Sequence, residues 1–170
     1  MNTTIAYLTP LYVDKHSARG VQVEPLLELA RRVVEGSGRT CTIEVIAFGP
    51  TGREEDLTPG VRLRVLPIAY RDGHPLDVLS WDLPLVLAQA DVVHIHHAHT
   101  RTGEMGLLLA KLQRKPVCVS THGGASSSLG ESINFLALAD CLVALGDPIE
   151  DGPRLARIYQ GLVGGVQEAA

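Results

Sequence analysis

Four histidines, His94, His96, His97 and His99, lie within six residues of one another, and a fifth, His122, opens the run Thr121-His-Gly-Gly-Ala-Ser-Ser-Ser128. Neutral imidazoles are the commonest ligands of divalent metals, so a metal centre is one reading of the cluster. Strand alternation, however, puts His94 and His96 on one face and His97 on the other, and no Asp, Glu or Cys completes a recognisable ligand spacing. The expectation is therefore no metal, with His94 a hydrogen-bonded core residue and His97 or His99 lining a cleft. His122 has two readings that its chemistry leaves open. A cleft histidine orients a hydroxyl or takes its proton, whereas a strand-capping histidine bonds to neighbouring backbone. The amides of the Gly123-Gly124 loop that follows are suited to an oxygen-rich ligand.

A second candidate lies near the amino terminus, where Arg19-Gly-Val-Gln-Val23 runs into a segment whose Val23, Leu26, Leu27, Ala30, Val33 and Val34 recur at helical spacing. Gly20 lets backbone approach a ligand with no Cβ in the way. The free amides and dipole of the helix's first turn favour an anion there, and Gln22 adds a neutral hydrogen-bonding side chain. The bland alternative is a glycine that ends a loop. Thr100-Arg-Thr-Gly-Glu104 reads either as an ordinary helix start or as another anion-friendly amino terminus.

These segments need elements to position them. Strands are expected at 4–8, 42–48, 61–66, 91–96, 116–121 and 140–145, with a further one at 156–160. Helices are expected at 22–35, 83–89, 102–113 and 130–138, and 147–155 is interrupted by Pro148, Gly152 and Pro153. Strand and helix alternate along nearly the whole chain, the pattern of a parallel sheet covered on both faces. The predicted fold is a Rossmann-like three-layer α/β/α domain with a mainly parallel sheet of six or seven strands and the first strand near its centre. Val93, Ile95, Val117, Val119, Leu142 and Val143 are expected in the core. Val61-Arg-Leu-Arg-Val-Leu66 alternates apolar residues with Arg and is expected toward an edge. The stretches 49–60 and 67–82 read as surface loops. In such a sheet ligands gather beyond the carboxyl ends of the strands, which is where His97, His122 and the loop at Gly20 fall.

With 170 residues, 45% hydrophobic and 20% charged, the chain suits one ordinary globular domain. A net charge of −4 with no basic stripe argues against a nucleic-acid partner. No apolar run approaches the length of a membrane span, and Met1-Asn-Thr-Thr4 carries no basic leader, so a cytoplasmic setting is expected. Cys41, Cys118 and Cys141 are odd in number and lack a C-x-x-C pair, and they read as buried small hydrophobes in a reducing compartment.

Taken in order, Gly20-Val-Gln-Val-Glu-Pro-Leu-Leu-Glu-Leu-Ala30, Gly60-Val-Arg-Leu-Arg-Val-Leu-Pro67, Ala90-Asp-Val-Val-His-Ile-His96, Lys115-Pro-Val-Cys-Val-Ser-Thr-His-Gly123 and Ala139-Asp-Cys-Leu-Val-Ala144 resemble the amino-terminal domain of GT-B glycosyltransferases, in particular the retaining family four. The resemblance covers essentially the whole chain, with 1–163 as the acceptor-side domain and 164–170 as a tail or interdomain stub. Ala156-Arg-Ile-Tyr-Gln-Gly161 looks like the strand and turn that lead such enzymes into their second domain. The family implies transfer of a sugar from a nucleotide-activated donor to an acceptor hydroxyl in a cleft between two domains, with no cofactor beyond the donor. By that resemblance Arg19, Gly20 and Gln22 approach donor phosphates or an acceptor group, and His97 faces the acceptor. His122, the catalytic candidate, sits with Gly123 and Gly124 at the reacting centre.

The sequence departs from the family in having Arg19-Gly20 where two adjacent glycines are common, which places a guanidinium where the family has bare backbone. It also stops at Ala170, where the donor-binding half is expected, so the chain reads as one domain of a longer enzyme or one subunit of a split transferase, inactive alone. A module that binds a nucleotide or anion without chemistry is the alternative. A dinucleotide dehydrogenase is disfavoured, because no G-x-G-x-x-G follows the first strand.

Overall fold

The computed structural model describes residues 2–13, 23–71, 76–121, 135–145 and 148–168. In chain order its elements are β1 (Thr3–Tyr12), α1 (Glu24–Gly36), β2 (Cys41–Gly49), β3 (Arg53–Thr58), β4 (Val61–Pro67), β5 (Tyr70–Arg71), β6 (Val78–Leu79), α2 (Leu83–Ala88), β7 (Val92–His96), α3 (Arg101–Leu112), β8 (Val117–Thr121), a 3-10 turn (Phe135–Leu138), β9 (Cys141–Ala144) and α4 (Pro148–Glu168). Seven strands form one sheet in the order β3-β4-β2-β1-β7-β8-β9, with β1 at its centre and β3 the antiparallel member. Alternate residues of β1 feed opposite layers. Ile5 and Tyr7 join Ile43 and Val45 under α1 and α4, while Ala6 and Leu8 join Ile46 and Phe48 under α2 and α3. A central strand buried on both faces must be apolar on both, as β1 is. This is the Rossmann-like α/β architecture that the alternation of elements predicts.

Several expectations are corrected. The segment 156–160 is helix, not strand: Gly152, Leu155, Ala156 and Tyr159 are buried at helical spacing along α4. Pro153 is tolerated because it lies in the helix's second turn, where its missing N–H removes a single ladder bond. Close approach to α1 also selects small residues there. A Cβ on Gly152 would stand 2.4 Å from Arg32 Cβ, and one on Gly36 would stand 2.9 Å from Pro153 Cα.

The charged stretch within 49–60 forms an edge strand rather than a loop, because β3 pairs with β4 in a register that sets Glu54 opposite Arg64 and Asp56 opposite Arg62. The arginine-bearing strand 61–66 is accordingly the second strand in, and its polar face is occupied by carboxylates from both neighbours.

The stretch 67–82 contains a two-stranded ribbon, β5 with β6. Leu142, expected in the core, is 55% exposed, whereas Val93, Ile95, Val117, Val119 and Val143 are buried. β9 is the last strand of the sheet, so Val143 turns toward the layer containing α1 and α4 while its neighbour faces the other side, beyond the cover of α3. Cys141 on the same strand is only half-buried, unlike Cys41 and Cys118. Of the expected helix 130–138, the described part is the 3-10 turn.

Candidate functional site

The histidine cluster divides at the end of β7. His94 and His96 project to one face, stacked with centroids 4.3 Å apart, and both lean on the ring of Tyr7. Both are buried, and His94 is bonded on both ring nitrogens: Nδ1 to the Tyr159 hydroxyl and Nε2 to Ser120 Oγ at 2.5 Å. Tyr159 in turn donates to Tyr7 at 2.8 Å. With that direction, a neutral His94 carrying its proton on Nδ1 donates to Tyr159 and accepts from Ser120, which completes a chain from Ser120 to Tyr7 with no net charge. Burial pushes both phenols far above the ordinary tyrosine range, so both tyrosines stay protonated. These two histidines hold β7, β8, β1 and α4 together.

His97 is different. Its φ of 62° is left-handed, a conformation uncommon outside glycine, and it turns the chain out of β7. Its carbonyl accepts from the amide and hydroxyl of Thr100, at 3.2 and 2.9 Å. Thr100 is also the cap of α3, where its side chain accepts from Gly103 N at 3.1 Å. Gly103 is required at that place, since a Cβ would stand 2.6 Å from the His97 oxygen. The turn thus sets His97, half-buried, and the first turn of α3 at the carboxyl edge of the sheet.

The β5–β6 ribbon is fastened to the same turn. Arg101 N donates to Asp77 at 3.1 Å, and the Thr102 hydroxyl donates to the Val78 carbonyl. Ile68 N bonds to Gly49 O and Ala69 N to Leu79 O, so the ribbon lies against the end of β2 as well. Tyr70 and Arg71 are thereby carried to the carboxyl edge. Arg71 sits over the ring of Tyr12, the last residue of β1, at 5.5 Å, and Arg101 over the ring of Tyr70 at 5.8 Å. Glu104, buried in the first turn of α3, has its carboxyl pushed up by burial and by Asp77, with His99 and Arg101 opposing. Among the described residues no three His, Cys, Asp or Glu side chains gather as a metal site.

A family model described as "Glycosyl transferase 4-like domain" matches residues 17–159. The chain belongs to that family. No curated protein matches the sequence. Among solved structures, a protein described as a UDP-N-acetylglucosamine 2-epimerase from Listeria monocytogenes is similar in fold, with a TM-score of 0.50 and 12% identity over 91% of this chain. This chain covers 42% of that protein's length. DNA processing protein A from Helicobacter pylori is similar at a TM-score of 0.47 and 14% identity, with 92% of this chain and 81% of that one covered. The CheB methylesterase catalytic domain from Thermotoga maritima gives 0.48 and 11%, with 93% and 99% covered.

Of the family positions expected to bind or react, His97 is at the carboxyl edge, while Arg19, Gly20, Gln22, His122, Gly123 and Gly124 lie outside the described residues. β1 ends at Tyr12 and β8 at Thr121, both at this same edge. Sequence reasoning missed Tyr12, Tyr70, Arg71 and Asp77. A signal existed in the turn formers Asp72-Gly-His-Pro75 between two short β-prone runs. No helix among the described residues is long and apolar enough to cross a membrane.

Proposed function

We propose that this chain is the acceptor-side half of a glycosyltransferase that moves a sugar from a nucleoside diphosphate donor to an acceptor hydroxyl, with retention of configuration. The observation that carries the reading is the family match over 17–159, and the clustering of polar side chains at the carboxyl edge of the sheet supports it. In the transfer the bond from the sugar's anomeric carbon to the donor's phosphate oxygen breaks and a bond to the acceptor oxygen forms. The acceptor's proton leaves with the departing phosphate. His122, directly after β8 in sequence, orients the acceptor hydroxyl, with Gly123 and Gly124 beside it. His97 lines the acceptor side. Arg19, Gly20 and Gln22 approach the donor phosphates or an acceptor group across the cleft.

A second, donor-binding domain or subunit supplies the remaining contacts, no cofactor is used beyond the donor, and the setting is cytoplasmic. The test is turnover of the enzyme reconstituted with its donor-binding half against a panel of nucleotide sugars, with the 170-residue chain alone as the inactive control. His122→Ala should lower turnover at least tenfold, in the range of general acid–base or electrostatic roles, with the melting temperature unchanged. Intact turnover with a collapsed fold would make His122 a strand cap. No transfer from any donor would end the transferase reading.

A further inference from the structure

Cys118 and Cys141 are far apart in sequence, and the sheet brings them side by side. β8 and β9 run parallel in a register that sets Cys118 opposite Cys141. Both side chains turn to the layer under α1 and α4, where Cys118 belongs to the core and Cys141 packs against it. Neighbouring strands lie about 4.8 Å apart, inside the roughly 4.4–6.8 Å between Cα atoms that a disulfide spans. The thiols accordingly interact, Cys141 being a side-chain hydrogen-bond partner of Cys118. Their exposure differs. Cys118 is fully buried, whereas Cys141, on the last strand of the sheet, is half-buried. Burial, and after it Cys141, push the Cys118 thiol far up, with Arg154 of α4 opposing, so Cys118 stays protonated at rest. The third cysteine stands apart: Cys41 lies on β2, across β7 and β1 from Cys118, and its thiol donates to Ser37 Oγ at 3.2 Å. Two adjacent thiols, one meeting solvent and the other behind it, are the arrangement of an attacking and a resolving cysteine.

We propose that Cys118 and Cys141 form a modification site that a peroxide oxidises to a disulfide, fastening the outer strand β9 to β8. The Cys141 sulfur attacks the peroxide: an S–O bond forms, the O–O bond breaks and one water leaves, giving a sulfenic acid. The Cys118 sulfur then loses its proton and attacks the Cys141 sulfur. The S–S bond forms, the S–O bond breaks and a second water leaves. Two thiols and one peroxide thus give one disulfide and two waters, the sulfurs supplying the two electrons that reduce the peroxide. A thiol reductant reverses the bridge by exchange.

The test is treatment of the folded chain with hydrogen peroxide, then alkylation in denaturant and cleavage after glutamate, which separates the two cysteines at Glu131. The expected product is a cross-link between the peptides that hold Cys118 and Cys141, lighter by two hydrogens than the reduced pair, with Cys41 still alkylated. Dithiothreitol should return all three thiols, and the amide spectrum of the treated chain should stay dispersed, changing mainly in β8 and β9. Cys118→Ala should leave Cys141 to be trapped by dimedone as the sulfenic acid. Cys141→Ala should slow oxidation of Cys118 by roughly tenfold or more, because the remaining thiol is buried. Where a variant does not fold, the cross-link map of the parent decides alone. Both thiols surviving a peroxide dose that oxidises the urea-unfolded chain would overturn the proposal. So would a bridge that includes Cys41 or joins two chains, a Cys141 that proceeds to sulfinic acid while Cys118 stays free, or Cys118 oxidised at the parental rate in Cys141→Ala.

Discussion

Two polar networks lie on the same sheet and solve burial in opposite ways. Under α4, the chain Ser120–His94–Tyr159–Tyr7 is buried and made of neutral groups. On the wing, Arg62 reaches Asp56 at 2.7 Å and Glu54 at 3.8 Å, and all three side chains are open to water. Deep burial penalises a net charge by more than pairing returns, so the interior network is composed of hydroxyls and an imidazole that satisfy one another. Near water the penalty falls, and ion pairs hold an edge strand whose own residues have little tendency to form one. The lesson is that the same need, to pair polar groups across strands, selects different chemistry according to depth.

If that contrast holds, the largest effect should come from the interior. His94→Ala removes the acceptor of the Ser120 hydroxyl and the donor to Tyr159 and opens a cavity, and should cost about 3–5 kcal/mol in chemical denaturation, with little dependence on salt. A loss below about 1 kcal/mol would mean that the interior chain contributes little to stability.

Tyr159→Phe breaks the bonds to both His94 and Tyr7 and should cost about 1–3 kcal/mol. The parent should also lose stability as pH rises above the ordinary phenol value. Both folded phenols are raised, so the unfolded chain releases protons first and the stabilisation present below that value is withdrawn. Phenolate absorbance measured at pH 11 should therefore show fewer ionised tyrosines in the native protein than in the denatured one. Equal numbers would contradict the burial of the pair.

The smallest effect is expected on the wing. Arg62→Met removes the pairs to Asp56 and Glu54, which lie open to water, and should lower stability by less than either interior change, and by less in high salt than in low, because such pairs are screened. A cost that matches His94→Ala, or one that salt does not touch, would erase the distinction between the two regions.

The layered fold was legible because apolar runs bounded by turn residues announce buried strands, and β1, β2, β7 and β8 are such runs. The period also split the histidines correctly, since His94 and His96 share a face by alternation alone. What failed was local. Ala156-Arg-Ile-Tyr159 offers helix and strand periods equally over so short a window, and only its docking on α1 selects the helix. Arg53-Glu-Glu-Asp56 has the composition of a loop, and it became a strand through carboxylates that met arginines in register across β4.

The sequence by itself determined the main alternation of strand and helix, the doubly covered sheet and the edge at which its loops emerge, because these follow from periodicity and turn chemistry within short stretches. The tertiary structure alone decided that β3 closes one side of the sheet, that Leu142 lies outside the core and that His94 is bonded at both nitrogens. It also decided that Arg71 lies on the ring of Tyr12 and Arg101 on the ring of Tyr70, although the members of each pair are far apart in sequence. Each of those outcomes depends on partners distant in sequence, whose contact is set by how strands register and helices dock rather than by anything a local window contains.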